Sequence, residues 1–367
     1  MMEIKRRHFL AALACTPLLL HVRPSQAGSE SEILVSAGRN GNGDYELLGA
    51  DIHGELLFRH ALPARAHQVL MHPQKPWAIA VARRPGRSFE VYDIQARSPV
   101  RRVECQPGCF LYGHAQFSAD GRTLITTEMH PDRQNGCLVF RDVENDFRVI
   151  RSLDSGGVGP HEFKLVEDAG YLVVANGGIR TEGREKLNID TMQPSLAYID
   201  YASGAVLQNH VLPAEFHQSS IRHIDIAPDG TLLVAMQFEG DPSRTAPLVA
   251  VHQPDKPMRV MDLPEEIYGR LKQYCGSACI DSSGRYGAIS APKGNRILFF
   301  DLAGRTYLGQ VPVRDGCGLA KSGATGGFYA SSGSGRLYLL DALTLEKSRL
   351  GDFRAEQLQW DNHLLSV

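Results

Sequence analysis

The chain has 367 residues, of which 43% are hydrophobic and 22% are charged, and its formal net charge is −2. This length excludes a small disulfide-stapled module, and this hydrophobic content excludes a disordered chain. The near balance of charges argues against an electrostatic nucleic-acid binder. The 36 glycines and 20 prolines, with few long helical patterns, favour turns and strands.

Residues 4–27 have the organisation of a bacterial export signal. A basic stretch (KRR) precedes an apolar run, and the small residues of SQA, ending at Ala27, fit a cleavage site. The letters RRHFL from Arg6 fit a twin-arginine signal, although an ordinary signal with two adjacent arginines is the alternative. A lipoprotein signal through Cys15 fits less well. We therefore expect residues 1–27 to be a signal peptide of the twin-arginine type and the protein to be periplasmic. No other run approaches the roughly 18 apolar residues that a membrane helix needs.

One pattern recurs along the rest of the chain: a short apolar strand, a tight turn and a second apolar strand. HAQFSADG, ending at Gly121, leads into TLITTEM, and HIDIAPDG, ending at Gly230, leads into TLLVAMQ. Seven such repeats of about four strands each have the period and content of propeller blades. The last copy, QLQWDNHLLSV, lacks outer strands, which the N-terminal segments ILVSAGR, YELLGAD and LLFRHAL can supply. We predict an all-β fold, a single seven-bladed β-propeller over residues 30–367, whose last blade is closed by N-terminal strands. A lid-like insertion at 177–195 separates the second and third strands of one blade.

Four histidines occupy equivalent positions in consecutive repeats: His67, His114, His161 and His223. The first strand of each propeller blade lines the central channel, so equivalent positions lie around one ring and these side chains should converge near the axis. Imidazole nitrogens on one ring suit a transition metal, with iron or copper preferred to zinc here. The alternative is that each histidine caps its strand by bonding to the backbone of a neighbouring blade. The interpretation that we carry forward is a metal or anionic-ligand site.

Further polar residues are predicted to lie near this ring. Glu162 and Asp225 flank two of the histidines as ligands or as acceptors for ligand N–H groups. Loops on the same face, and the insertion with its Lys186 and Asn188, should bring others close. The full set of supporting or ligand-binding candidates is Arg83, Glu128, Glu162, Asn176, Arg180, Asp190, Asp225 and Gln237. His363, in WDNHL, is assigned to the turn end of its strand and so to the opposite face, as a closure element.

Six of the seven cysteines follow the export signal, and two close pairs stand out: Cys105 with Cys109, and Cys275 with Cys279. Disulfides or buried thiols are favoured over thiolate metal ligation, because zinc-binding cysteine pairs usually have tighter spacing and flanking partners. No CxxCH motif occurs, so covalently attached haem is not expected.

Several of these segments resemble one known family. They are RAH ending at His67, YGH ending at His114, QFSADGRTLITTE, GPHEF, VVANGGIRT, KLNIDTMQPSLAYID, SIRH ending at His223, and WDNHL. The chain resembles domain-of-unknown-function family 1513 over essentially the whole mature sequence. The resemblance implies a seven-bladed propeller of the YVTN/WD40-like class. It also implies a periplasmic role in iron acquisition, beside imelysin-type peptidase-like proteins and di-haem cytochromes. The six cysteines depart from the family pattern, which favours local disulfides.

Three functions follow from these features. The first is a periplasmic metal-binding propeller that serves iron acquisition through its ring of histidines. The second is a metal-dependent propeller enzyme, an oxidoreductase rather than a lactonase. The third is a docking scaffold without a ligand, with an imelysin-type or di-haem protein as partner. In each case we expect a monomer with no nucleic-acid partner and no membrane span.

Overall fold

The computed structural model describes residues 32–183 and 185–367. The predicted signal peptide and its twin-arginine motif therefore lie outside the described residues. In the part that is described, no helix combines the length and apolar character needed to cross a bilayer.

Strands dominate the described chain and form seven four-stranded antiparallel sheets, which are the blades of a propeller. The first three strands are β1 (Ile33–Arg39), β2 (Tyr45–Asp51) and β3 (Leu56–Leu62). Blade 1 is β4 (Ala66–Met71), β5 (Trp77–Ala82), β6 (Ser88–Asp93) and β7 (Ser98–Glu104). Blade 2 is β8 (Phe110–Phe117), β9 (Thr123–Met129), β10 (Cys137–Asp142) and β11 (Arg148–Asp154). Blade 3 is β12 (Pro160–Val166), β13 (Tyr171–Asn176), β16 (Ser195–Asp200) and β17 (Val206–Val211), interrupted by a hairpin of β14 (Thr181–Glu182) and β15 (Glu185–Lys186).

The remaining blades repeat this order. Blade 4 is β18 (Ser219–Ile226), β19 (Leu232–Phe238), β20 (Val249–His252) and β21 (Arg259–Val260). Blade 5 is β22 (Ser277–Ile280), β23 (Tyr286–Ala291), β24 (Arg296–Asp301) and β25 (Thr306–Pro312). Blade 6 is β26 (Gly316–Lys321), β27 (Gly327–Ser332), β28 (Arg336–Asp341) and β29 (Lys347–Asp352), and β30 (Gln359–Ser366) begins blade 7. Helix α1 (Glu265–Leu271) and four 3-10 turns complete the described elements, the turns being Glu167–Ala169, Ile189–Thr191, Ala214–Phe216 and Pro292–Gly294.

Blade 7 joins the two ends of the described chain. Strand β30 pairs with β1, and β1, β2 and β3 then extend the sheet outwards. The predicted closure by N-terminal strands is therefore confirmed. Arg65 at the start of blade 1 donates two hydrogen bonds to Asp361 in β30, at 2.6 and 2.7 Å, and so fastens blade 1 to blade 7. A ring closed in this way leaves only short, protected sheet edges.

The hydrophobic core lies between the blades. Seven buried clusters form, each built by two neighbouring blades. For example, Ile79 and Val91 of blade 1 pack with Leu111 and Leu124 of blade 2. Strand side chains alternate between the two faces of a blade, so both faces must be apolar when both are covered. Each inner strand is thereby held with one edge towards the channel.

Two faces of the propeller are distinguished below. The entry face is where the inner strands begin, and the turn face is where each inner strand turns into the second strand of its blade. The insertion at 177–195 lies between β13 and β16 and emerges on the entry face. Lys186 in this insertion forms a short ion pair with Glu239 of blade 4, which fastens the hairpin across a blade boundary.

Candidate metal centre in the channel

Irregular pairing in the inner strands turns the histidines towards the axis. In regular pairing, a side chain on an inner strand points to a neighbouring blade and not to the channel. His67 and His161 are each an extra, unpaired residue between regular pairs of β4 with β5 and of β12 with β13. A shift also lies directly before His223, and longer shifts include His114 and His363. Such β-bulges re-aim side chains, and here they recur at the position of every channel histidine.

Five imidazole rings meet at one place in the channel. The centroids of His161 and His223 are 4.5 Å apart, those of His114 and His363 are 4.7 Å apart, and the widest of nine ring pairs is 6.0 Å. The structure therefore brings together all four histidines that were predicted to converge. We call His67, His114, His161, His223 and His363 the histidine cluster.

The prediction for His363 was wrong. Its ring lies 4.8 Å from that of His67 and 4.9 Å from that of His223, so it belongs to the cluster and not to the opposite face. The prediction placed WDNHL at the turn end of its strand and took no account of the irregular pairing. Strand β30 has two extra residues between its pairs with Ser36 and Gly38, and these move His363 back to the level of the other rings.

Many ring nitrogens in the cluster have no hydrogen-bond partner among the described residues. These are both nitrogens of His67 and of His114, Nδ1 of His161 and Nε2 of His363. His67 and His114 are only 5% and 1% exposed. A buried polar atom left without a partner costs about 1–3 kcal/mol. Six such atoms cost on the order of 10 kcal/mol, which is comparable with the roughly 5–15 kcal/mol net stability of a typical domain. These unpartnered nitrogens argue against the alternative in which each histidine caps its strand by bonding to the backbone of a neighbouring blade.

Four histidines of the cluster are held in the neutral form: His67, His114, His161 and His363. Burial, reinforced by the neighbouring imidazoles, lowers the pKa of His67, His114 and His161 well below the usual value. Burial also lowers the pKa of His363 to about 3, with a further contribution from His223. A neutral imidazole has a free lone pair at neutral pH, and that is the form in which it binds a metal.

Glu162 adds a carboxylate to the cluster. Its Oε2 lies 3.2 Å from Nδ1 of His223 and accepts the backbone N–H of Ile224 at 3.2 Å, while its Oε1 lies 3.9 Å from Nδ1 of His114. Burial alone would raise the pKa of Glu162, but the charge of Lys164 and the bond to His223 outweigh it and hold the pKa at about 2. The ionised carboxylate can therefore accept a hydrogen bond from a protonated Nδ1 of His223. The lone pair of the other ring nitrogen is then left for a ligand.

Lys164 connects this carboxylate to Asp225. The Nζ atom lies 3.2 Å from Glu162 Oε1 and 3.2 Å from Asp225 Oδ1. Asp225 also accepts the backbone N–H of Ile280 at 2.8 Å, so it links blade 4 to blade 5. Lys164 was not among the predicted site residues. It is two residues after Glu162 in the same strand, and that spacing was the available signal.

The geometry suits a transition-metal ion. Three sets of donors have atoms within 4.8 Å of one another: His67, His114 and His161; His67, His223 and His363; and His114, Glu162 and His223. With a metal–nitrogen distance of about 2.0–2.1 Å, the ring centroid lies about 3.2 Å from the ion. Two rings that bind one ion at 90–109° then have centroids about 4.5–5.2 Å apart. Most observed separations fall in or near this range.

The other predicted residues occupy different places. Arg83 lies at the entry end of blade 1, where its charge helps to lower the pKa of His67. Asn176 and Gln237 are buried near the entry ends of blades 3 and 4, and their side chains donate to backbone carbonyls of Ser155 and Cys275. These two residues are part of the framework around the cluster.

No contact among the described residues places three of the predicted residues at the histidine cluster: Glu128, Arg180 and Asp190. Glu128 is buried in blade 2, where it accepts a hydrogen bond from Arg141 at 2.7 Å. Arg180 and Asp190 are exposed in the insertion, which is held by Asn188 through bonds to Arg180 N–H and to the Gly178 carbonyl.

The expectation of local disulfides was wrong for the described cysteines. Cys105, Cys109, Cys137, Cys275, Cys279 and Cys317 are all free, and all but Cys105 are buried. Burial raises the pKa of Cys275 to about 12 and that of Cys317 to about 12, which keeps both thiols protonated. The alternative of buried thiols is the one that holds for five of the six, and a buried thiol behaves as a small hydrophobic group.

A large cavity reaches the cluster from the turn face. It has a volume of about 1010 Å³, and Glu162, Lys164, Asp225 and His363 form its inner end. We call it the funnel. A metal ion in the histidine cluster would therefore be within reach of molecules that enter from this side.

Comparison with known proteins gives the family and the fold. The family model described as "Protein of unknown function (DUF1513)" matches residues 60–367. A solved structure titled "Kuenenia stuttgartiensis Hydrazine Synthase" matches with a TM-score of 0.58 and 18% sequence identity, over 85% of this chain and 94% of that chain. At that identity the likeness shows the fold alone. No protein among those with curated descriptions matches the chain.

Proposed function

The chain belongs to the DUF1513 family of proteins of unknown function, and we propose that it binds a transition-metal ion at the histidine cluster in its channel. One observation carries this proposal: five blades each place an imidazole at the same level of the axis, and six buried nitrogens there have no partner among the residues that the structure describes. A bound ion would take up lone pairs that otherwise destabilise the fold.

Iron or copper fits these donors better than a hard cation. Neutral imidazole nitrogens suit iron, copper, nickel and zinc, whereas magnesium and calcium require oxygen ligands. Structural zinc sites are almost always closed by four ligands, and this cluster offers five imidazoles, which is one reason to place zinc third. Glu162 supports the site by accepting a hydrogen bond from the ring of His223. This bond orients that ring and makes it a stronger ligand.

The finer role that we propose is iron acquisition in the periplasm. It is supported by the export signal expected from the sequence and by the context that the family resemblance implies. An imelysin-type or di-haem periplasmic protein would then be the partner that delivers or receives the metal.

The test is elemental analysis of the mature protein, purified from periplasm without chelator or affinity tag. We expect about one equivalent of iron or copper per chain, and its loss in a His114→Ala/His161→Ala variant. A His53→Ala variant is the matched control, because His53 is exposed on a turn between β2 and β3. Circular dichroism checks that each variant is folded. If the wild-type protein holds no metal and takes none up on titration, the proposal is refuted.

A metal-dependent enzyme is the second candidate, and the funnel is the observation that favours it. A volume of about 1010 Å³ admits a molecule much larger than an ion, and it ends at Glu162 and His363. Redox chemistry is preferred to lactone hydrolysis. A panel of small redox substrates tested with metal-loaded protein distinguishes this candidate from simple binding, because only an enzyme gives turnover that is lost in the His114→Ala/His161→Ala variant.

A further inference from the structure

The funnel carries an excess of negative charge. Six carboxylates and two lysines line it: Glu162, Glu167, Asp168, Asp225, Asp229 and Asp281, with Lys164 and Lys321. Asp168 and Asp229 are exposed at its mouth, in the turns that follow β12 and β18. A cleft that is lined by one sign of charge and has low-dielectric walls raises the local concentration of ions of the opposite sign.

A chain of charged contacts inside the funnel runs from Asp225 to the histidine cluster. Asp225 is 3.2 Å from Lys164, Lys164 is 3.2 Å from Glu162, and Glu162 is 3.2 Å from His223. Lys164 is thus held between two carboxylates, and its own charge is compensated. These three groups together carry one net negative charge at the inner end of the funnel.

The inner end of the funnel presents unpartnered ligand atoms. His363 lines the funnel, and its buried Nε2 has no partner among the described residues. Its ring is 4.7 Å from that of His114, which is 1% exposed and whose two ring nitrogens have no hydrogen-bond partner within the described part of the chain. The acidic wall therefore leads to nitrogens that are available to a cation.

The entry face is built differently. Arg65 closes one side of it by its paired bonds to Asp361. On another side, Glu239 is bonded to both Arg222 and Lys186, which brings the insertion against the entry end of blade 4 beside His223. The Arg65–Asp361 pair is neutral, whereas Arg222 and Lys186 share the single carboxylate of Glu239 and leave an excess positive charge, which opposes the approach of a cation from that direction.

We propose that the metal reaches the cluster through the funnel, from the turn face, as a hydrated cation and not as an anionic chelate. This inference rests on the proposed metal site. It assigns the carboxylates of the mouth, Asp168 and Asp229, to capture of the ion. They are not assigned to its final coordination.

The test compares rates of metal uptake, with Co²⁺ as the probe because its visible absorption changes on binding to imidazoles. Apo-protein is mixed with Co²⁺ at low ionic strength in a stopped-flow instrument, for wild type and for an Asp168→Asn/Asp229→Asn variant. Asparagine keeps the side-chain oxygen with which Asp229 accepts the Thr231 N–H. The matched control is Glu182→Gln/Glu185→Gln, which removes two exposed charges from the hairpin on the entry face. A parallel series supplies Co²⁺ with excess citrate, which makes it anionic.

We expect the mouth variant to load free Co²⁺ roughly fivefold more slowly than wild type, with the same final absorption spectrum. The difference should vanish near 1 M salt, where charges are screened within about 3 Å. The control should load at the wild-type rate, and citrate should slow the wild-type protein. Equal rates in the mouth variant, a larger effect in the control, or faster loading from citrate would each overturn the proposed route while leaving the metal site intact. Failure of wild type to bind Co²⁺ at all overturns both the route and the proposed function.

Discussion

Lowering the pH should destabilise the metal-free protein through the histidine cluster. Burial lowers the pKa of His67, His114, His161 and His363 in the folded chain, whereas in the unfolded chain each returns to about 6.5. Below pH 6.5 the unfolded chain therefore binds protons that the folded chain does not. Stability is fully present above this pH and is lost as the pH falls.

The size of the effect follows from linkage. Between pH 7.0 and 5.5, each histidine that stays neutral in the folded state lowers the free energy of unfolding by about 1.3 kcal/mol. The four histidines together lower it by about 5 kcal/mol, which is a large part of the net stability of a typical domain. The effect continues towards pH 3, where His363 itself becomes protonated in the folded state.

Equilibrium unfolding of chelator-treated protein in guanidinium chloride, at pH 7.0 and 5.5, measures this loss. A His67→Leu/His114→Leu variant should lose about 2.5 kcal/mol over the same interval, because two of the four groups are gone. Comparison of the two proteins cancels the contribution of other histidines, such as His252, whose pKa burial lowers to about 4. A His53→Gln variant, which changes an exposed histidine, should behave as wild type.

Two results would refute this reasoning. One is a wild-type loss below about 1 kcal/mol, which would mean that the folded cluster accepts protons as readily as the unfolded chain. The other is an unchanged pH dependence in the His67→Leu/His114→Leu variant, which would place the effect elsewhere in the molecule.

Three further outcomes are expected. Replacing Glu162 by Gln should weaken metal binding about 10–100-fold, measured by competition with a coloured chelator, because His223 loses the carboxylate that orients it. Replacing Glu128 by Gln should lower the free energy of unfolding by about 3–5 kcal/mol, since Arg141 is 3% exposed and loses its charged partner, but the metal content should not change. Titration of the denatured mature protein with a thiol reagent, without reductant, should count six free thiols. A count of two or four would show that disulfides are present after all.

Periodicity in the sequence was enough to establish the architecture. Seven repeats with short apolar strands predicted seven blades, and the incomplete last repeat predicted closure by strands from the other end of the described chain. These predictions succeeded because strand patterning and turn residues act locally, so they can be recognised without knowledge of tertiary contacts. The registry of four histidines with the repeat likewise predicted that they lie in one ring.

Only the tertiary structure decided which groups the ring contains. His363 joins the cluster because extra residues in β30 shift its pairing with β1, a contact between residues more than 300 positions apart in the chain. Glu128 has the right position along its strand, but its carboxylate turns to Arg141 inside blade 2. Lys164 enters the site because Glu162 and Asp225, from different blades, converge on its ammonium group. For the four histidines in register with the repeat, the pattern of the sequence was enough to predict their shared level along the propeller axis. The direction of each side chain at that level depends on bulges and on charges in neighbouring blades, and those are set only when the ring closes.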